Sequence, residues 1–254
     1  MRYDRGSRSP EFAASRRAAV RTAALVGSLA MTGWAVRAGA ATAPKEAGLS
    51  YEGLLKGEPG YQPRSPASLP VSDIPGFLSK GQLRRNYAVY REAFTKLLRA
   101  ESALQSASRD GAHANEYAAL RSQQVGAGNA VLLHEFYFRN LAPRRVELTS
   151  YIGSNLSEHM GSVESWREDF TACARVAGAW AMLVYDPYDD RWHNVALGAS
   201  DAGGFVGSNP LVVCDVAEHA WSLDYDDRET YVARFLDHID WNTVTSRYRA
   251  VDRR

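Results

Sequence analysis

From Leu78 onward the apolar positions fall into a helical rhythm. Leu83, Tyr87, Tyr90, Phe94 and Leu97 recur at spacings of four, three, four and three. That period keeps one face apolar. It predicts a helix that Ser79 caps and that ends near Ala107. The stretch "GNAVLLHEFYFRNLAP" (128–143) predicts a second core helix, stopped by Pro143. A third pattern, "GSVESWREDFTACARVAGA" (161–179), opens on a Ser162 cap. Ahead of the second helix, "RSQQVGAGNA" (121–130) reads as a helix-to-helix turn. No strand precedes it, so it lacks the context of a phosphate loop.

The pattern then shortens. "AWAMLVYDP" (179–187) is an apolar run ended by Asp-Pro, and "RWHNVALGA" (191–199) alternates. A Gly-rich turn follows, then a further apolar run, "LVVCD" (211–215). These three runs predict strands of a small antiparallel sheet. A helix from about Ala217 to Asp237 is expected next, carrying Trp221, Tyr225, Tyr231 and Phe235. The fold class is therefore α+β, with an N-terminal helical hairpin followed by a three-stranded antiparallel sheet and flanking helices. The expected units are a hairpin domain over 77–143 and an α+β domain over 144–254.

The N-terminal part reads differently. Arg16 and Arg17 precede a mild apolar stretch from Ala23 to Val36, and Ala38-Gly39-Ala40 follows. This is a signal-peptide layout over 1–40, with cleavage expected after Ala40. The paired arginines resemble a twin-arginine export signal, although Ala19 stands where Phe is usual. An ordinary secretory signal or an uncleaved anchor is the alternative. Export would place the protein in the periplasm or outside the cell. From Pro44 to Pro75 the chain holds six of its ten prolines, which predicts an irregular arm or linker over 41–76.

Composition narrows the options. Of the 254 residues 45% are hydrophobic, enough for a packed core, and the net charge of +1 gives no electrostatic case for nucleic acid. Two cysteines, Cys173 and Cys214, exclude a disulfide scaffold; a single bridge and two free thiols both stay open. The acids of "DYDDRE" and "DPYDD" read as solvated turn or helix-starting residues, with a calcium site as the alternative.

Among six histidines, His134 sits in an apolar helix, where a histidine is commonly a satisfied core residue. Asp215 is less ordinary. It ends an apolar strand, and a buried carboxylate needs partners. His219 follows at i+4. One Asp and two His form a plausible Fe, Mn or Zn site.

The stretch "LVVCDVAEHAWSLDYDDRETYVARFLDHIDW" resembles the C-terminal signature of iron/manganese superoxide dismutases, an Asp-x-x-x-His within "DVWEHAYYLDY" that later ends in "INW". "HEFYFRNLAP" resembles that family's "NHxxFWxNLxP", and "GAWAMLVYD" its "SGWAWLV". "LSKGQLRRNYAVYREAF" resembles the helix that supplies its first ligand. These matches run in the family's order over about Leu69–Thr245. The resemblance implies one Fe or Mn ion per chain, with His134, Asp215 and His219 as ligands. It implies superoxide as the substrate. Glu218 occupies the position that bonds the partner subunit's ligand histidine, so a homodimer is implied.

The chain also departs from the family pattern. Asn86 stands in place of the first histidine ligand, which makes it a weak candidate ligand. Phe94 falls on the gateway tyrosine and Tyr90 on an intervening histidine, whose usual tyrosine partner falls on Ser222. Ala217 replaces the tryptophan of "WEH". The glutamine that hydrogen-bonds the metal-bound solvent is missing at Ala130 and in the Gly203 region. Trp180 matches a tryptophan that lies near the metal, which makes Phe94, Tyr90 and Trp180 the candidates for shaping catalysis. Tyr90 or a water could replace the lost groups, and Asp201 or His193 could approach from the sheet. Three readings follow: a working exported dismutase, a three-ligand metal protein with different redox chemistry, and a metal-free binding or structural protein on the same fold.

Overall fold

A computed structural model describes residues 65–200 and 204–252. The signal-like segment, the first part of the proline-rich arm, Asp201 and Gly203 lie outside the described residues. Two long helices come first: α1 (Lys80–Ser106) and α2 (Ala114–Asn140). Ser79 caps α1 by accepting from Gln82 N, as its position predicts. The buried side of α1 carries Leu83, Asn86, Tyr90, Phe94 and Leu97, so two polar residues lie within the apolar stripe.

The helices run antiparallel. Tyr90 pairs with Glu135, Glu101 with Gln124, and Arg109 lies over Tyr117. The expected turn at 121–130 is not a turn, because α2 continues through it. Its glycine is a packing feature: a Cβ on Gly128 would sit 3.7 Å from Leu97 of α1.

Next come α3 (Ser150–Met160), which the sequence pattern did not announce, and α4 (Val163–Val176), capped by Ser162. Ile152 and Leu156 are the buried i,i+4 pair of α3, and Gly161 at φ 88° ends it. The sheet comprises β1 (Trp180–Asp186), β2 (Arg191–Leu197) and β3 (Asn209–Asp215), with β1 central and both pairings antiparallel. Its register places Trp180 opposite both Leu197 and Asp215. At this end Gly178 packs so close to Gly198 that a Cβ would collide with the Gly198 carbonyl.

The single helix expected over 217–237 is instead two elements. A 3-10 turn (Glu218–Ala220) comes first, then α5 (Arg228–Asp237), followed by α6 (Trp241–Val251). The break has a local cause. Asp227 accepts from Thr230 N and so starts a new helix after the acidic run. Both cysteines are free thiols.

A polar knot joins the hairpin to the sheet. Asn140, at the end of α2, accepts at Oδ1 from Val213 N of β3 and from Arg247 Nη1 of α6. Arg247 also donates to the Leu211 and Phe136 carbonyls. Asn140 is fully buried, so this knot sets β3 against α2 without help from water. Replacing Asn140 with Leu strands the Val213 amide and removes one partner of a buried guanidinium. The expected cost is about 3 kcal/mol, read as a lower denaturation midpoint at unchanged slope. A variant as stable as the parent would show that the knot contributes nothing.

Candidate metal centre

Asp215 is the last residue of β3 and is completely buried. Its Oδ1 accepts from Ala217 N at 3.1 Å. Its Oδ2 accepts from Asn86 Nδ2 and from His219 Nε2, each at 3.0 Å. His134 Nε2 stands 3.7 Å from the same oxygen. One donor atom from each of His134, Asp215 and His219 falls in a cluster no wider than 4.8 Å. These three residues come from α2, β3 and the 3-10 turn. His219 reaches the cluster from that turn, which follows an extended Ala217, rather than along a helix face beginning at Asp215.

Each imidazole is set by its surroundings. His134 lies against the carbonyl of Ala130, 2.7 Å from Nδ1. A carbonyl only accepts, so Nδ1 carries the proton and Nε2 presents its lone pair to the cluster. Burial pushes His134 below the ordinary imidazole range, and the Asp215 charge offsets this only in part. For His219, burial also acts downward, but the hydrogen bond and charge of Asp215 outweigh it, and the net shift is upward.

The residues fit a metal ion. His134 Nε2 and Asn86 Oδ1 are buried polar atoms without a hydrogen-bond partner. An orphaned imidazole nitrogen facing a carboxylate and a second imidazole is the donor set that divalent transition metals take. His134, Asp215 and His219 would hold the ion. Asn86 shares the cluster, but it turns its amide nitrogen toward Asp215.

The other predicted residues separate into two groups. Trp180 joins the site: its ring meets His134 edge-on at 4.9 Å, and its indole nitrogen donates to Ser200. Tyr90 borders it through its ring, 6.1 Å from that of His134 between centroids, but its hydroxyl is engaged elsewhere. The Tyr90 hydroxyl donates to Glu135 at 2.7 Å and accepts from Ala67 N at 2.8 Å, while Phe94 is buried edge-on against Tyr90. The proline-rich arm is thereby tied to α1 at Ala67. Glu218 is exposed beside His219. His193 bonds Asp189 at the far end of the sheet.

Sequence reasoning missed Gln82. Its side chain donates to the His219 carbonyl at 2.6 Å and accepts from Leu223 N at 2.9 Å, clamping the ligand turn to α1. The signal was there, since Gln82, Asn86 and Tyr90 form an i, i+4, i+8 polar line along a buried helix face.

Residues 148–247 match the family described as iron/manganese superoxide dismutases, C-terminal domain. Superoxide dismutase [Mn] 1 of Halobacterium salinarum is 33% identical over 151 residues, covering 59% of this chain and 75% of the relative. The chain belongs to the iron/manganese superoxide dismutase family. Superoxide dismutase [Mn] 2 of Haloferax volcanii is 34% identical over 123 residues, 48% of this chain. The chain covers 62% of that relative's length. Superoxide dismutase [Fe] of Cupriavidus metallidurans is 32% identical over 139 residues, 53% of this chain and 69% of the relative. Membership fits the gathering of His134, Asp215 and His219 from three elements. It does not account for Asn86, whose neutral amide departs from the imidazole that the family pattern has there.

Ligand histidines must be neutral to bind metal. His219 holds its proton to higher pH than a free imidazole, so uptake competes with that proton. Mn(II) uptake by the metal-free protein is expected to climb between about pH 5 and 8, with its midpoint above that of an unperturbed histidine. Electron paramagnetic resonance of the free ion reads this directly. A flat profile across that window would contradict the assignment of His219 as a ligand.

Proposed function

We propose that this protein converts superoxide to oxygen and hydrogen peroxide at a mononuclear Fe or Mn site held by His134, Asp215 and His219. The observation that carries this reading is the convergence of the three donors, with His134 Nε2 buried and unpaired. Relatives named as Mn and Fe dismutases support it. Two superoxide anions and two protons give one oxygen and one peroxide. The metal, when bound, supplies the one-electron couple for both halves.

The chain's own residues supply the rest. Arg99 lies at the mouth of the cleft over the triad and favours entry of an anion, Lys96 beside it being paired with Glu92. The Ala130 carbonyl keeps the His134 lone pair inward. Gln82 holds the His219 turn in place, and the Ala217 amide fixes the Asp215 carboxylate. The Tyr90 hydroxyl is turned to Glu135, so protons reach peroxide from water in the cleft, not from this tyrosine. Export through the arginine-containing leader and a homodimer in which Glu218 meets the partner's His219 belong to the same proposal.

A second reading rests on Asn86. With its nitrogen on Asp215 it provides no imidazole, leaving three ligands and an open position suited to other redox chemistry. Metal content and dismutase activity measured on one sample of the purified protein separate the readings. Near one Fe or Mn per chain with activity, both lost in His134→Ala and Asp215→Ala, is the expected result. Asn86→His is expected to tighten metal retention by about tenfold or more. Metal without activity would transfer the case to the second reading. A site that cannot be loaded would overturn both.

A further inference from the structure

The triad does not close over. It forms the floor of a cleft of about 660 Å³ between α1, α2 and the ends of β1 and β3. Superoxide is a two-atom anion, and a single water occupies about 30 Å³ of liquid. The cleft has the size of a site for a small organic ligand, since such sites span about 300–1,000 Å³. Its room comes from side chains that are missing: Ala93, Gly126, Ala127, Ala130, Ala179 and Ala217 line it. Those walls are apolar, and Trp180 adds an aromatic face.

Gln123 and Ser200 also line it, and its charged and metal-ligating groups stand at the mouth and the floor. At the floor stand His134, Asp215 and His219, with His134 Nε2 buried and without a hydrogen-bond partner. At the mouth, Lys96 is neutralised by Glu92 at 2.8 Å. Arg99 lines the mouth as well, is exposed, and makes no hydrogen bond or ion pair with another described residue. A guanidinium with no carboxylate of its own is built to take one in paired geometry. An apolar body between a cationic mouth and a metal-ligating floor is the complement of an organic carboxylate.

We propose that the cleft binds a small organic carboxylate with an apolar body, its carboxylate on Arg99 and its body along the alanine-lined wall toward the triad. The proposal rests on the metal reading only for what lies at the floor. The binding surface consists of the wall and Arg99.

Benzoate is a suitable probe, titrated calorimetrically into the full-length protein in metal-free and Mn-loaded form, with metal content determined on the same samples. One saturable site per chain is expected. Acetate, which has the charge without the body, is expected to bind at least about tenfold more weakly. Arg99→Gln is expected to weaken benzoate by about tenfold, because it removes a charged hydrogen-bonding partner at an exposed position that the core does not need. Ala127→Phe, which fills the half-buried wall, is expected to abolish binding. Circular dichroism confirms the fold of each variant. Should Ala127→Phe not fold, the Arg99→Gln comparison decides alone. Absence of saturable benzoate binding overturns the proposal, as does an Arg99→Gln protein that binds like the parent, or acetate binding as tightly as benzoate. Benzoate bound by a protein that cannot be loaded with metal would uphold this inference while defeating the metal reading. A loaded protein that ignores benzoate would do the reverse.

Discussion

The structure turns on one buried carboxylate. Asp215 has no exposure to water, and a carboxylate in that position is costly unless polar partners surround it. Its partners come from three parts of the chain. The Ala217 amide follows it directly, His219 comes from the 3-10 turn, His134 from α2, and Asn86 from α1, 129 residues away. Satisfying this one group therefore requires the hairpin, the sheet and the turn to meet at a single point. A fold that failed to bring them together would leave an unpaired charge inside the protein.

Two further polar links keep that meeting point in register. Asn140 and Arg247 tie the end of α2 to β3, which sets His134 relative to Asp215. Gln82 ties α1 to the His219 turn, which sets the other imidazole. The first link is buried and the second partly so, and neither uses an imidazole nitrogen of a proposed ligand. Position at this site is thus held by neutral amides and one guanidinium, while the imidazoles are left free to ligate. The raised affinity of His219 for a proton and the lowered one of His134 follow from the same geometry. Burial acts on both rings, but only His219 lies within hydrogen-bonding distance of the carboxylate.

Much of this was legible in the sequence where a local rule decides the outcome. The 4-3-4-3 rhythm gave α1, the Ser79 and Ser162 caps gave two helix starts, and the apolar runs gave the three strands. Where context decides, the reading failed. Gly126 and Gly128 look like a turn, yet they lie inside α2, where Gly128 faces Leu97 of α1. The aromatic spacing over 217–237 looks continuous, yet Asp227 restarts the helix. α3 buries too few large residues to stand out from its neighbours. The candidate ligands were nominated by resemblance, since Asp215 and His219 share a motif, and the structure gathers them with His134. The clamp by Gln82 was not, since nothing local says that a glutamine on α1 faces a carbonyl in a turn 137 residues later.

The same set of small residues bears on both sides of the chemistry. Ala130 and Ala217 stand where the family pattern has a hydrogen-bonding glutamine and a tryptophan, and both now line the cleft. Removing those side chains takes away groups that would otherwise tune a bound metal and exclude water from it. It also leaves, beside His134, Asp215 and His219, a cleft far larger than superoxide requires. Asn86 completes the pattern: by donating to Asp215 it keeps the carboxylate oriented without supplying a fourth imidazole. Two of these departures, Ala130 and Ala217, lie on the wall of one cleft, and Asn86 meets the carboxylate of the cluster that the same cleft reaches. On the proposed reading, an ion held there lacks a fourth imidazole, and the shape and charge of the cleft govern what reaches it.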